Sequence, residues 1–218
     1  MTKKITAILG DFYHQAELAV QSLEAAMKKL SIEAEIDYIT IDELSHNLNS
    51  NPDLMILFAE NRLNPEDEEV LTWMDETIAK NIQQYVQNGG NLLAWHSGLA
   101  SYENVKTYTD ILKGYFIHHP EQHQQVTYTV DGEAMIIDQD TSFTCLDEHY
   151  FVEVNEADTN VFLRSKSVDG ESIAGWHHSY GEGKVVCLTP AHLEAGLLQP
   201  SFLNILSQVI DWCLQDKE

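Results

Sequence analysis

The sequence predicts an α/β fold in which a mostly parallel, doubly wound sheet carries an antiparallel extension in its second half. In the first half of the chain, short apolar runs alternate with amphipathic stretches, the pattern of βα units in a parallel sheet. In the second half, short runs of strand-forming residues follow one another with turns between them, as antiparallel strands do. No repeat or linker-like segment interrupts the 218 residues, so we expect a single domain over residues 1–218.

The first half contains four predicted strands and two predicted helices. An amphipathic stretch near residues 15–30 predicts the first helix. The second helix is predicted to begin at Asn64-Pro65, because asparagine is a good N-cap and proline suits the first helical position. It is predicted to end near Gln87, before a pair of glycines. The four strands are residues 5–9, 36–39, 54–58 and 92–96.

The predicted antiparallel extension follows the fourth βα unit and consists of five short strands. The chain then returns to a buried strand and closes with an amphipathic helix. Trp212 on this helix fits either a homodimer interface or packing against the protein's own sheet. The five strands are residues 125–130, 134–137, 150–154, 161–165 and 173–177; the buried strand is 184–189 and the closing helix is 202–214.

An excess of acidic side chains excludes several classes of partner. Thirty-five Asp and Glu against twelve Lys and Arg give a net charge of −23 at pH 7. Such a chain repels phosphate backbones and anionic lipid, so we expect neither nucleic acid nor a membrane as partner. The apolar run at residues 5–9 is also too short for a secretion signal or a membrane span.

The cysteines indicate a reducing compartment. Cys145, Cys187 and Cys213 are an odd number without paired spacing. Cys187 lies in an apolar run, where a small hydrophobic residue fits. We therefore expect a cytoplasmic protein that does not depend on disulfides.

Histidines stand at the ends of three predicted strands. His14 comes shortly after the first strand, His96 ends the fourth, and His192 follows the late buried strand. In doubly wound sheets, ligands bind beyond the carboxyl ends of the strands. Histidine titrates near neutral pH and is the commonest metal ligand, so three histidines at one edge predict a functional site. No dinucleotide-binding or P-loop glycine pattern is present, so we expect no nucleotide cofactor.

Two segments resemble the catalytic motifs of class I glutamine amidotransferases. Residues 94–98, Ala-Trp-His-Ser-Gly, look like their nucleophile elbow with His96 in place of the cysteine. His192-Leu193-Glu194 resembles their His-Pro-Glu motif. This resemblance implies a flavodoxin-like, class I glutamine amidotransferase-like fold. Because histidine cannot form the covalent acyl intermediate that a thiolate forms with glutamine, we expect no glutaminase activity.

With histidine at the elbow, the chain is similar to the trehalose-utilisation (ThuA-like) family. Further segments agree with that family in order, and the resemblance covers roughly residues 5–214. One departure is Ala191, where many relatives carry glycine before the histidine. The agreeing segments are residues 10–14, 96–98, 116–120, 147–150 and 180–185.

The resemblance implies a pocket whose residues have two roles, catalysis and substrate binding. Catalysis falls to His96, His192 and Glu148. Substrate binding falls to His14, Ser97, His119 and Tyr150. The candidate ligands of a divalent metal such as zinc are His14, His96, His119 and His192.

Several of these residues also have a structural interpretation. His119 and its neighbour His118 fit a solvated turn, Glu148 fits a turn carboxylate, and Ser97 fits a helix cap. A Ser97–His192–Glu194 triad is disfavoured, because Glu194 lies only two residues from the histidine that it would have to orient.

The family resemblance implies carbohydrate utilisation, with trehalose or a related disaccharide, including a keto-disaccharide, as substrate. Histidines and a carboxylate can move protons to and from sugar oxygens, or they can hold a zinc ion that polarises such an oxygen. The sequence leaves both mechanisms open. The alternative function is a non-catalytic member of the fold that binds a small ligand or a partner protein.

Overall fold

The structure is a computed structural model that describes residues 2–132 and 136–215. Within these residues the chain forms eleven strands and six α-helices. The strands are β1 (Lys3–Leu9), β2 (Ala34–Tyr38), β3 (Leu54–Phe58), β4 (Asn91–Trp95), β5 (Gly114–His118), β6 (Gln124–Val130), β7 (Ser142–Asp147), β8 (Phe151–Val154), β9 (Asn160–Ser167), β10 (Gly170–Tyr180) and β11 (Gly183–Leu188). The helices are α1 (Ala16–Met27), α2 (Leu44–Leu48), α3 (Glu76–Gln87), α4 (Lys106–Leu112), α5 (Glu194–Leu197) and α6 (Pro200–Leu214).

Nine strands form one large sheet with a parallel half and an antiparallel half. Its order is β2-β1-β3-β4-β11-β10-β9-β6-β7. The first five strands in this order are parallel neighbours. From β11 onward every neighbouring pair is antiparallel, and β5 and β8 form a separate antiparallel pair. The structure therefore confirms the α/β class, the parallel sheet and the antiparallel extension in the second half.

Helices cover both faces of the sheet, which explains why its central strands are buried and mostly apolar. Every residue of β3 and β11 is buried. On one face α1 and α6 pack through residues such as Leu23 and Ile205. On the other face α3 and α4 pack through residues such as Ile82 and Ile111. Each such side chain contributes about 1.5–3 kcal/mol by its burial, so the sheet positions its edge residues on a rigid base.

The start of α3 corrects one sequence prediction. The helix predicted from Asn64-Pro65 to Gln87 begins only at Glu76, so the prediction for residues 64–75 is wrong. Asp75 is the N-cap, and its carboxylate accepts the backbone N–H groups of the second and third helical residues at 2.8 Å. The Asn64 amide oxygen instead accepts the backbone N–H of Leu71 at 2.6 Å and closes a loop. Asn64 and Asp75 both have a side-chain oxygen that can cap a helix, and the helix begins after Asp75.

In the second half, the predicted strands 125–130, 150–154, 161–165 and 173–177 correspond to β6, β8, β9 and β10. The predicted strand 134–137 lies partly outside the described residues, and its last two residues form a bend. The sequence did not predict α4, β5 or β7. In β7, burial alternates through Phe143, Cys145 and Asp147, so a buried carboxylate interrupts the apolar pattern.

The three cysteines are buried, and Trp212 is partly buried. Cys145, Cys187 and Cys213 are free thiols in the interior. Trp212 on α6 packs against the protein's own sheet, with its ring centroid 4.7 Å from that of His177. In the described part of the chain, no helix combines the length and the apolar character needed to cross a membrane.

Candidate functional site

Five chain segments deliver polar side chains to the carboxyl edge of the parallel strands. Each segment directly follows a strand, where the regular backbone hydrogen bonding of the sheet ends. The polar side chains are His14 after β1, Glu60 after β3, His96 after β4, Glu148 after β7 and His192 after β11. The predicted convergence of His14, His96 and His192 is therefore present, and Glu148 joins them.

His96 occupies a tight turn at the end of β4. Its φ of 46° is left-handed, a conformation that costs a non-glycine residue about 1 kcal/mol or more. Two residues later, a Cβ at Gly98 would overlap the carbonyl oxygen of Leu57, so only glycine lets this turn approach β3 so closely. The turn buries the imidazole completely, and its Nδ1–H donates to the carbonyl oxygen of Thr189 at 2.6 Å. The Nε2 atom is left facing Glu148.

Asp11 fixes the orientation of His14. Its Oδ1 atom accepts the imidazole Nδ1–H at 2.6 Å and also the backbone N–H groups of Tyr13 and His14. Its Oδ2 atom accepts the backbone N–H of Glu60 at 2.9 Å. Burial raises the pKa of Asp11, but the hydrogen bond and the charge of His14 outweigh it and bring the pKa to about 2. Asp11 is thus an ionised acceptor that leaves His14 Nε2 exposed to the cluster.

A buried carboxylate, Asp147, holds the backbone of His192 in place. Asp147 Oδ1 accepts the backbone N–H of His192 at 2.7 Å, and Oδ2 accepts the hydroxyl of Tyr128 at 2.8 Å. These bonds tie the segment after β11 to the end of β7. The Nδ1 atom of His192 consequently lies 3.4 Å from Glu148 Oε2.

Four side chains form a compact group that we call the histidine cluster: His14, His96, Glu148 and His192. One potential ligand atom from each lies within 4.8 Å of the corresponding atoms of the other three. Nε2 of His14, Nε2 of His96 and Nδ1 of His192 are buried and have no hydrogen-bond partner within the described residues. Three imidazole nitrogens and a carboxylate therefore converge on one small volume.

The cluster separates the protonation states of its members. Burial raises the pKa of Glu148, but the neighbouring imidazole of His96, 3.5 Å away, followed by the charges of His192 and His119, lowers it to about 2. Burial would lower the pKa of His96, but the neighbouring Glu148 and Asp147 carboxylates raise it overall. Burial and then the charge of His96 lower the pKa of His192 to about 3. At neutral pH, Glu148 is therefore ionised and His192 carries a free lone pair.

Two further histidines contact the outer oxygen of Glu148. Nε2 of His119 lies 3.7 Å from Glu148 Oε1, and Nε2 of His123 lies 3.8 Å from the same atom. Both side chains are about one third exposed, so they lie between the cluster and solvent. His118, by contrast, stacks on Phe151.

Aromatic rings form part of the wall. Tyr150 is buried and stacks on His96 with ring centroids 4.2 Å apart, and Phe116 packs on Tyr150 at 4.4 Å. Together with His14, Glu148 and His192 they line a cavity of about 410 Å³. This volume lies within the range of small-molecule pockets, roughly 300–1,000 Å³.

The other predicted site residues have clear positions. Ser97 is buried, is not among the residues that line the cavity, and has no hydrogen-bond partner for its hydroxyl within the described residues. It does not cap a helix. Glu194 is exposed at the start of α5, and the carboxylate beside His192 is Glu148. The geometry therefore does not favour a Ser97–His192–Glu194 triad.

Sequence reasoning missed five residues of the site. Asp11 and Glu60 follow strands, so the rule that selected the histidines could have found them. Arg62, His123 and Asp147 gave no such signal, because their positions depend on a loop, a turn and a buried strand end. The missed residues are Asp11, Glu60, Arg62, His123 and Asp147.

The sequence profile of the Trehalose utilisation (ThuA) family matches residues 9–213. The chain belongs to the ThuA family. A comparison with curated protein sequences gives no match.

Solved structures share the fold of this ThuA-family protein at low sequence identity. A putative ThuA-like protein from Parabacteroides merdae has 12% identity and a TM-score of 0.72, over 98% of this chain and 90% of that one. A cytoplasmic protein from Salmonella typhimurium has 16% identity and a TM-score of 0.65, over 96% of both chains. A beta-galactosidase from Rahnella has 13% identity and a TM-score of 0.66, over 96% of this chain but 31% of that one. At these identities the similarity concerns the fold.

Proposed function

We propose that this ThuA-family protein is a sugar-modifying enzyme that binds a divalent cation, zinc foremost, at the histidine cluster. Its proposed substrate is trehalose or a related disaccharide, including a keto-disaccharide. The observation that carries this proposal is the convergence of three unpartnered, buried imidazole nitrogens on the ionised carboxylate of Glu148. The family name supports the substrate class.

The spacing of the donor atoms fits a shared cation. Two ligands at about 2.1 Å from a tetrahedral ion lie roughly 3.4 Å apart. Nε2 of His96 and Nδ1 of His192 lie 3.5 and 3.4 Å from Glu148 Oε2. The second nitrogens of His14 and His96 donate to the Asp11 carboxylate and to the Thr189 carbonyl oxygen. Such outer partners are typical of metal-binding histidines because they fix the tautomer.

A divalent cation supplies Lewis acidity that polarises a sugar hydroxyl or carbonyl oxygen. The chain's own residues then bind the substrate and move protons. Tyr150 and Phe116 offer apolar ring faces to a sugar. His119 holds its Nδ1–H on the carbonyl oxygen of Pro120 at 2.7 Å, which leaves Nε2 to accept or release a proton beside Glu148. His123 can relay that proton, because it also lies beside Glu148 and is part-exposed.

We also propose that the fold is flavodoxin-like and amidotransferase-like, and that the protein is cytoplasmic. The five parallel strands have the order found in flavodoxin-like sheets, which supports a flavodoxin-like, amidotransferase-like assignment. His96 at the turn after β4 supports the absence of glutaminase activity. Free cysteines and the similarity to a Salmonella protein described as cytoplasmic support a cytoplasmic location.

Metal analysis of the untagged protein, combined with sugar turnover, tests the proposal. We expect about one zinc ion per chain and conversion of trehalose or its keto form to a new product. His96→Ala and His192→Ala should each lose metal and turnover, while their melting temperatures stay close to that of the chelator-treated wild type. The matched control is His46→Ala, which removes an exposed histidine on α2.

Two outcomes would contradict the proposal. Full turnover in the presence of a strong chelator would show that the reaction needs no metal ion. Saturable sugar binding by the metal-loaded protein without any product would instead identify a non-catalytic sugar sensor.

A further inference from the structure

Glu60 is a buried carboxylate in the cavity wall that the histidine cluster does not use. Its side chain is 2% exposed, and it lines the same cavity as His192. Three donors meet at its Oε2 atom: Nε and Nη2 of Arg62, at 2.9 and 2.7 Å, and the hydroxyl of Ser101, at 2.9 Å. Its Oε1 atom is buried and has no hydrogen-bond partner within the described residues. A buried carboxylate oxygen without a partner is costly, so a ligand donor is expected there.

Arg62 completes a fixed pair with Glu60. Two of its three guanidinium nitrogens hold the carboxylate, and the group lies 5.8 Å from the ring centroid of Tyr13. The side chain is 38% exposed and also lines the cavity. The remaining nitrogen, Nη1, can donate to a ligand. The Glu60–Arg62 pair therefore keeps one unused acceptor and one unused donor in the wall of the same cavity.

The charge of this pair selects the chemistry of its ligand. Glu60 already neutralises Arg62, so the pair offers no net positive charge to an anionic ligand. A phosphate or carboxylate ligand would lie against Glu60 Oε1, a buried carboxylate oxygen that has no donor within the described residues, which is repulsive. A sugar hydroxyl both donates and accepts, so adjacent hydroxyls can bind Glu60 Oε1 and Arg62 Nη1 together.

We propose that the Glu60–Arg62 pair is a hydroxyl-binding subsite for one ring of a neutral disaccharide, while the other ring reacts at the histidine cluster. This assignment rests on the proposed function. It narrows the substrate class to uncharged sugars and excludes sugar phosphates. Tyr13 and Phe116, which line the same cavity, offer apolar surface to the bound rings.

Calorimetric titration of the full-length, zinc-loaded protein with trehalose and with trehalose 6-phosphate tests the assignment. The wild type should bind trehalose at least about tenfold more tightly than trehalose 6-phosphate, because the unpartnered oxygen of Glu60 repels the phosphate group. Arg62→Lys keeps the positive charge but loses the two-point contact, and it should weaken trehalose binding about tenfold. Glu60→Gln leaves Arg62 without its counter-charge, so the preference for trehalose over the phosphate should shrink or reverse.

The control variant is Glu68→Gln, which removes one exposed carboxylate from the same loop. It should bind both sugars like the wild type. Zinc content should stay at the wild-type level in all variants, because neither Glu60 nor Arg62 belongs to the histidine cluster. Arg62→Met is a second variant that removes the guanidinium group altogether. The melting temperatures of Arg62→Met and Arg62→Lys are measured before titration, to establish that both variants are folded.

Wild-type affinity for trehalose in folded Glu60→Gln and Arg62→Lys would overturn the assignment. Equal binding of the two sugars by the wild type, or binding of neither, would overturn it as well. Product formation is followed separately. If the wild type binds trehalose through the pair but forms no product, the proposed function is wrong and the subsite assignment stands. If the wild type converts trehalose while the variants bind it normally, only the subsite assignment is wrong.

Discussion

At the scale of single residues, Asp11 connects the backbone to the cluster. It accepts two backbone N–H groups of its own turn and the Nδ1–H of His14, so its charge fixes which nitrogen of His14 faces the cavity. Removing that charge while keeping the shape isolates this effect. Asp11 is therefore a positioning residue, because it acts through His14.

We expect Asp11→Asn to weaken zinc binding about 10–100-fold, the usual effect of losing an outer partner of a metal-binding histidine. Competition with a chromophoric zinc chelator measures this affinity. Asp42→Asn, which changes an exposed acid in the turn after β2, should leave the affinity unchanged. An unchanged affinity in Asp11→Asn would show that the carboxylate does not orient a metal ligand.

His178 on β10, which is not part of the histidine cluster, makes the free energy of unfolding depend on pH. Its imidazole is 3% exposed, its Nε2–H donates to the carbonyl oxygen of Ile111 at 2.9 Å, and burial lowers its pKa to about 4. The unfolded chain, with a histidine pKa near 6.5, binds the proton more readily. The contribution of the neutral imidazole to the free energy of unfolding is thus fully present above about pH 6.5 and is lost as the pH falls towards 4.

We expect His178→Gln to reduce the loss of unfolding free energy between pH 7 and pH 4 by about 1–3 kcal/mol. Urea unfolding at several pH values measures this loss for the variant and the wild type. The control is His46→Gln, because His46 is exposed. Parallel pH curves for His178→Gln and the wild type would rule out a contribution from this residue.

The site residues show what sequence can supply at this scale. His14, His96, Glu148 and His192 were predicted, because they follow strands or match family motifs, and the structure brings them together. The outer histidine His123 was not predicted, because its position depends on the turn between β5 and β6 rather than on a strand end.

At the scale of elements, α3 shows where local rules compete. Asn64 and Asp75 both have the chemistry of an N-cap, and the sequence pattern alone favoured the earlier one because proline follows it. Asn64 is instead used to close the loop after β3, which carries Arg62 to the cavity. The strands were predicted more reliably, because burial on both faces gives β3 and most of β11 a continuous apolar run.

We expect Asp75→Ala to lower the free energy of unfolding by about 1 kcal/mol, because two backbone N–H groups at the start of α3 lose their acceptor. Denaturant titration measures the change. Glu68→Ala is the matched control, since Glu68 is an exposed acid in the preceding loop outside any helix. If Asp75→Ala were no more destabilising than Glu68→Ala, Asp75 would not cap the helix.

At the scale of the whole molecule, the histidine cluster joins the two halves of the chain. His14 and His96 follow strands of the parallel half, whereas Glu148 comes from the antiparallel extension and His192 follows the returning strand β11. The pattern of apolar and polar residues in the sequence predicted the parallel half and the antiparallel half. It did not predict that β7 ends at the same edge as the parallel strands. The buried aspartate in β7 interrupts the apolar pattern, so this strand was not recognised.

A cation shared by these segments should therefore stabilise the folded state as a whole. Binding to the native state alone adds about 2.7 kcal/mol when free zinc is 100 times its dissociation constant. For a chain of this size, each kcal/mol raises the melting temperature by roughly 2–4 °C. We expect zinc to raise the melting temperature of the chelator-treated wild type by roughly 5–10 °C in differential scanning calorimetry. His96→Ala should lose this increase, because the cluster then lacks one ligand, while His46→Ala should keep it. An equal increase in His96→Ala would mean that zinc stabilises the protein from another surface.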